Sequence, residues 1–157
     1  MVDFSRISRH AGPEESPGYL LWKVSSLWRR SIEAILRPLG LTHPQFVVLA
    51  AIGWFTRERK EVRQVEISRF VGLDPNTTSQ VLRSLHTKGL ILRGQADGRS
   101  KSPSLTPAGS KLLKQALPAV EKEDHAFFSR VDYRKKSYLS TLKALSTTAN
   151  IPTLSVL

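Results

Sequence analysis

At 157 residues, the chain has the size of one ordinary domain with its own core, and 40% hydrophobic with 24% charged residues is the composition of a soluble globular protein. Its 24 Lys+Arg against 13 Asp+Glu give a formal charge of +11, which suits a polyanionic partner or an acidic surface. Cysteine is absent, which excludes disulfides, thiolate metal sites and thiol redox switches. No apolar run has the length of a membrane span, and the N-terminus lacks the hydrophobic region of a secretory signal. The default expectation is a cytoplasmic protein with no membrane partner.

Residues 1–17 mix charge, Gly and Pro without periodicity and read as a flexible arm. From 18 to about 36 the pattern is helical, with apolar positions at Leu20, Leu21, Val24, Leu27, Trp28, Ile32 and Ile35. This stripe is too wide for one contact face, so one side is expected to meet the chain's own core and the other a partner. Pro38 and Gly40 close the helix. Thr42 with Pro44 opens the next, running to about Phe55, with Phe46, Val47, Leu49, Ala50 and Ile52 as its core. The charged run from Arg57 to Glu61 reads as a solvated connector.

Residues 62–106 hold the most specific pattern. Val65, Ile67, Phe70 and Val71 form a short apolar cluster that ends at Gly72. Asp74-Pro75 supplies an N-cap and a first-position proline for a second helix, 75–88, whose apolar face is Thr78, Val81, Leu82 and Leu85. Leu90-Ile91-Leu92, a polar loop and Ser104-Leu105-Thr106 then read as a hairpin over 90–106, with Pro103 marking a short or bulged edge strand. Two short helices, a tight turn and a hairpin predict a winged helix-turn-helix.

The exposed side of the second helix carries Asn76, Thr77, Ser79, Gln80 and Arg83, hydrogen-bonding side chains near the N-terminus of a recognition helix. Asn and Gln pair bidentately with adenine and Arg with guanine. With Arg93, Asp97, Arg99 and Lys101 from the hairpin, these form the expected DNA-binding set. Between Pro75 and Lys101, Arg83, Lys88, Arg93, Arg99 and Lys101 face a single acid, Asp97, the charge balance that phosphate binding requires.

The runs LGLTHPQFVVLAAI and EISRFVGLDPNTTSQVLRSLHTKGLILR, and DGR ahead of LTPAG, resemble the MarR family of bacterial winged-helix transcriptional regulators. The resemblance covers roughly residues 18–147. It implies a repressor that binds double-stranded DNA at a palindromic operator as a triangular homodimer. It also implies a small-molecule effector, with aromatic acids the precedent and Trp22, Trp28 and Phe46 the residues offered for the pocket. The same aromatics at helical spacing are otherwise ordinary core.

After the hairpin, Thr106-Pro107 caps a helix carrying Leu112, Leu113, Ala116, Leu117, Val120, Phe127 and Phe128, which Pro118 is expected to bend. Asp132 is expected to cap a last helix with Tyr138, Leu139, Leu142 and Leu145 on one face, followed by a tail over 148–157. The terminal segments, 18–40 and 107–147, hold more apolar surface than one small domain covers, and a homodimer is the economical explanation.

No catalytic constellation appears, and no cofactor or enzyme activity is expected. Glu121 and His125 share one helical face and His43 could join them, but three scattered ligands without cysteine make a weak metal site, and none is assigned. Two other readings stay open: an architectural or ligand-independent DNA-binding protein, and an effector-binding module that kept the fold without DNA readout.

Overall fold

The computed structural model describes residues 2–58, 61–93, 102–129 and 135–147. The elements are α1 (Phe4–Ile7), α2 (Pro17–Leu36), α3 (His43–Thr56), α4 (Gln64–Val71), α5 (Pro75–Thr87), β1 (Ile91–Arg93), β2 (Pro103–Leu105), α6 (Pro107–Phe128) and α7 (Lys135–Thr147). This is a mainly helical chain with one small two-stranded antiparallel sheet. Among the described residues, no single helix is long and apolar enough to cross a membrane.

The starts of α2, α3, α5 and α6 follow one rule. A Ser, Thr or Asp in extended backbone accepts a hydrogen bond from an amide of the first turn, with proline just inside. Ser16 caps α2 through the Tyr19 amide, Thr42 caps α3 through the Gln45 amide, and Thr106 caps α6 through the Gly109 amide. Residues before α2 are more structured than their composition suggests. They form α1 and a 3-10 turn at Pro13–Glu15, in which the Glu15 carboxylate accepts from the Ala11 amide at 3.2 Å.

The core is built around α3. Phe46, Val48, Leu49, Ala51 and Ile52 are buried, and they meet Ile32 and Leu36 of α2, Ile67 of α4, Leu82 and Leu85 of α5, Ile91 of β1 and Ala116 and Val120 of α6. Val47 and Ala50, expected in that core, are only partly buried beside it, whereas Val48 and Ala51 are inside. A helix enclosed on nearly every side has no polar face to betray its orientation. Truncating a fully buried side chain such as Leu49 or Ile52 to alanine costs about 2–5 kcal/mol, so this packing sets the relative placement of the other elements.

Of the apolar cluster in α4, Ile67 is in the core and Val71 packs partly buried beside it, while Val65 and Phe70 are 44% and 57% exposed, with the Phe70 ring edge-on to Phe55 at 5.0 Å. Helix α6 runs from Pro107 to Phe128 with Pro118, exposed, inside it. The expected cap Asp132 lies outside the described residues.

The hairpin pairs Ile91 with Leu105, Leu92 with Ser104 and Arg93 with Pro103. The start of α6 is pressed against it. A Cβ on Gly109 would collide with the Leu90 carbonyl, lying 2.9 Å from its carbon even before the oxygen is considered. Gly109→Ala should therefore destabilise the fold by about 1–3 kcal/mol, as overpacking against backbone does. Urea unfolding would detect this, and a loss under about 0.5 kcal/mol would show that α6 can step back from β1.

Candidate nucleic-acid interface

Helices α4 and α5 are separated by Gly72, Leu73 and Asp74. Gly72 sits at φ +70°, in the left-handed region that favours glycine, and lets the chain reverse. The turn is then locked from inside. The Leu73 amide donates to the Ser68 carbonyl at 3.2 Å, and the Ser68 hydroxyl donates to the Leu73 carbonyl at 2.7 Å. Ser68 is itself buried, so its hydroxyl has to be satisfied this way.

Asp74 fixes the start of α5. One carboxylate oxygen accepts from the Asn76 and Thr77 amides, both at 2.9 Å. The bonds from Thr77, then that from Asn76, hold the carboxyl below its ordinary aspartate value, since they favour the charged form. Thr78 is fully buried, and its hydroxyl donates to the Asp74 carbonyl at 2.9 Å.

The orientation of α5 follows from its two stripes. Thr78, Leu82 and Leu85, spaced i, i+4, i+7, are buried. Asn76, Gln80 and Arg83 have the same spacing on the opposite side and are exposed. Thr77 and Ser79 flank that stripe and are half-buried. Arg93 ends β1, half-buried beside Pro103. Asp97, Arg99 and Lys101 lie outside the described residues.

Residues beyond the expected set hold this surface in place. The Ser102 hydroxyl accepts from the Val62 amide at 2.8 Å and donates to the Val62 carbonyl at 2.9 Å, tying the base of the hairpin to the lead-in of α4. At the far end of α5, Thr106 donates its hydroxyl to the Gly89 carbonyl at 2.7 Å while capping α6. The sequence holds no local signal for the Val62–Ser102 link, whose partners are 40 positions apart.

The three residues offered for an effector pocket occupy different environments. Phe46 is buried in the core, and Trp22 is 65% exposed on α2, tilted against Tyr19. Trp28 sits at the junction of α2, α3 and α6. Its indole N–H donates to Asp124 at 2.7 Å, and its ring stands edge-on to His43 at 5.1 Å. Burial holds the His43 imidazole below its ordinary value; Arg29 acts the same way, while Glu33 and Asp124 oppose it. Among the described residues, no group of three or more His, Cys, Asp or Glu is placed to hold a metal ion.

An outward polar stripe on the second of two short helices, backed by a hairpin, defines a winged helix-turn-helix protein. The MarR family model matches residues 41–101. The HTH-type transcriptional regulator YdcH of Bacillus subtilis is 36% identical over 140 residues, 88% of this chain and 95% of that protein. The transcriptional repressor Rv2887 of Mycobacterium tuberculosis is 33% identical over 116 residues, 73% of this chain and 81% of the repressor. This chain belongs to the MarR family of transcriptional regulators. Solved structures agree on the fold. CouR from Rhodococcus jostii, bound to p-coumaroyl-CoA, superposes with a TM-score of 0.77 at 21% identity, covering 94% of this chain and all of that one. Rv2887 with p-aminosalicylic acid gives a TM-score of 0.65 at 30% identity over 83% of this chain and 98% of its own. Rv2887 has also been solved with DNA.

The Asp74 cap carries a pH signature. A carboxyl held below its ordinary value stabilises the fold fully above about pH 4, and that contribution is lost as pH falls through the lowered value. Asp74→Ala should thus lower the melting temperature by a few degrees at neutral pH. The gap from wild type should close on acidification; a gap that persists at the most acidic pH at which both proteins still fold would mean the cap does not act through the carboxylate.

Proposed function

We propose that the chain acts as a homodimer that reads a palindromic operator with α5 and represses transcription by occupying it. The single observation that carries this reading is the exposed stripe Asn76, Gln80 and Arg83, held outward by the buried stripe Thr78, Leu82 and Leu85. Those three side chains offer bidentate donors and acceptors for adenine and guanine edges. Thr77 and Ser79 flank them and serve phosphate oxygens as readily as bases. Arg93, Asp97, Arg99 and Lys101 complete the surface, with Arg99 in the neighbouring minor groove.

The dimer rests on apolar surface. Tyr19, Leu20, Leu21, Trp22, Val24 and Leu27 are all at least 39% exposed along the first half of α2, and Leu117, Leu139 and Leu145 are exposed on α6 and α7. Exposed apolar surface concentrated on the terminal helices in this way marks an interaction surface. A second copy of the same terminal helices covers it, making 18–40 and 107–147 the dimerisation segments of one winged-helix domain over 18–147. Two-fold symmetry then sets the half-sites about one turn of DNA, ~10 base pairs, apart.

A small aromatic acid is the proposed releasing effector, because the Rv2887 structure contains p-aminosalicylic acid. Trp28, with His43 and Asp124 at the junction of the dimerisation helices and α3, is where such a ring would act. It works only by preferring the arrangement of the two recognition helices that does not fit the operator.

Binding to duplex DNA from upstream of the chain's own coding sequence tests both parts in one titration. Arg99→Ala should weaken binding and reduce the slope of log affinity against log salt by about one, the signature of one lost phosphate-directed cation. Salicylate should release the wild-type protein from the same duplex and raise its melting temperature without DNA. Unchanged affinity of Arg99→Ala would remove the hairpin tip from the interface, and no response to salicylate would remove this effector class.

A further inference from the structure

Lys88 follows the last residue of the recognition helix and, by charge and place, looks like a phosphate contact. The side chain is exposed, but its ammonium is directed onto the chain's own oxygens instead. It donates to the Gly40 carbonyl at 2.6 Å and to the Gln45 side-chain carbonyl at 2.9 Å. Gln45 is 8% exposed, and the rest of its amide is committed: the same oxygen accepts from the Thr42 amide at 3.1 Å, and the nitrogen donates to the Ser84 hydroxyl at 2.8 Å. Two residues of α5's C-terminal end, Ser84 and Lys88, are thereby joined through one buried amide to the corner between α2 and α3.

We propose that Lys88, Gln45 and Ser84 form a latch that sets the angle of the recognition helix, and that Lys88 is a positioning residue and not a phosphate contact. Three features support this. The bonds from the ammonium are charge-assisted, roughly twice as strong as neutral ones, so drawing Lys88 out to a phosphate would sacrifice two of them and strip the buried Gln45 oxygen of a partner. The far anchor is well chosen. Gly40 stands at φ +67°, where the backbone turns from α2 toward α3, so its carbonyl reports the geometry of that corner. And α2 is the helix whose outer face carries the exposed apolar patch. The latch therefore runs from the proposed dimer arm to the DNA-reading helix over a few bonds, alongside the second tie from Gly89 to Thr106. It rests on the DNA-binding reading given above.

The test compares wild type with Lys88→Met, Gln45→Leu, the double variant and Ser84→Ala. Fluorescence anisotropy with a labelled duplex from upstream of the chain's own coding sequence is read across a salt series, and melting temperatures are read without DNA. Lys88→Met and Gln45→Leu should each weaken binding about tenfold with the salt slope unchanged, and the double variant should be no weaker than the worse single. Their effects on melting temperature should be non-additive in the same way. Ser84→Ala, which alters no charge and leaves the core intact, should weaken binding by about threefold and decides the matter if Gln45→Leu does not fold. A slope reduced by about one in Lys88→Met would make Lys88 a phosphate contact and overturn the proposal, as would multiplying losses in the double variant or unchanged binding by Ser84→Ala. Wild type that binds no duplex would instead overturn the DNA-binding reading, while additive melting shifts would overturn the latch itself.

Discussion

Packing of the Thr78, Leu82 and Leu85 stripe against α3 is the contact on which the rest depends. A helix at the surface of a domain has one buried face, and the side opposite is decided when that face is filled. Because α3 is itself enclosed by α2, α4 and α6, α5 cannot rotate without opening the core. The outward display of Asn76, Gln80 and Arg83 is thus a consequence of apolar packing. These side chains are exposed on the face where a ligand would meet them.

Around this packing, the polar groups act as fasteners at chain corners. Asp74 starts the helix, Ser68 locks the turn before it, Ser102 pins the hairpin to Val62, and Thr106 joins the end of α5 to the start of α6. Surface ion pairs such as Arg29–Glu33, at 3.8 Å and largely exposed, add little by comparison because water screens them. Strength and the facing of α5 therefore reside in the core, and the corner hydrogen bonds fix where helices and hairpin begin and end. Any ligand that alters the α2–α3–α6 junction, where Trp28 meets Asp124 and His43, acts on elements already joined to both ends of the DNA-reading unit.

Much of this was legible in the sequence because local chemistry fixes local ends. Thr42, Asp74 and Thr106 are caps with prolines behind them, and Gly72 and Gly89 stop helices by entering the left-handed region, so helix starts fell within a residue of their places. The buried stripe of α5 followed from its spacing. What periodicity could not resolve were the short or evenly apolar segments. Helix α4 has only eight residues, too few to show that Val65 and Phe70 face outward, and α3 is apolar all round, so Val47 and Ala50 could not be told from Val48 and Ala51. By charge and position Lys88 belongs to the basic footprint, and its partners, Gly40 and Gln45, lie more than 40 residues earlier and leave no mark near it. Trp22, Trp28 and Phe46 share a chemistry but not an environment, which depends on which helix face closes on the core.

The central claim is that this surface reads sequence as well as charge. Its most direct test is the affinity for duplex DNA from upstream of the chain's own coding sequence against shuffled duplex of equal length and composition, at low and near-physiological salt. A gap of about 10³ or more that survives the higher salt is the predicted result. Equal affinities for both duplexes, falling steeply together as salt rises, would contradict it and leave a protein that grips the phosphate backbone alone.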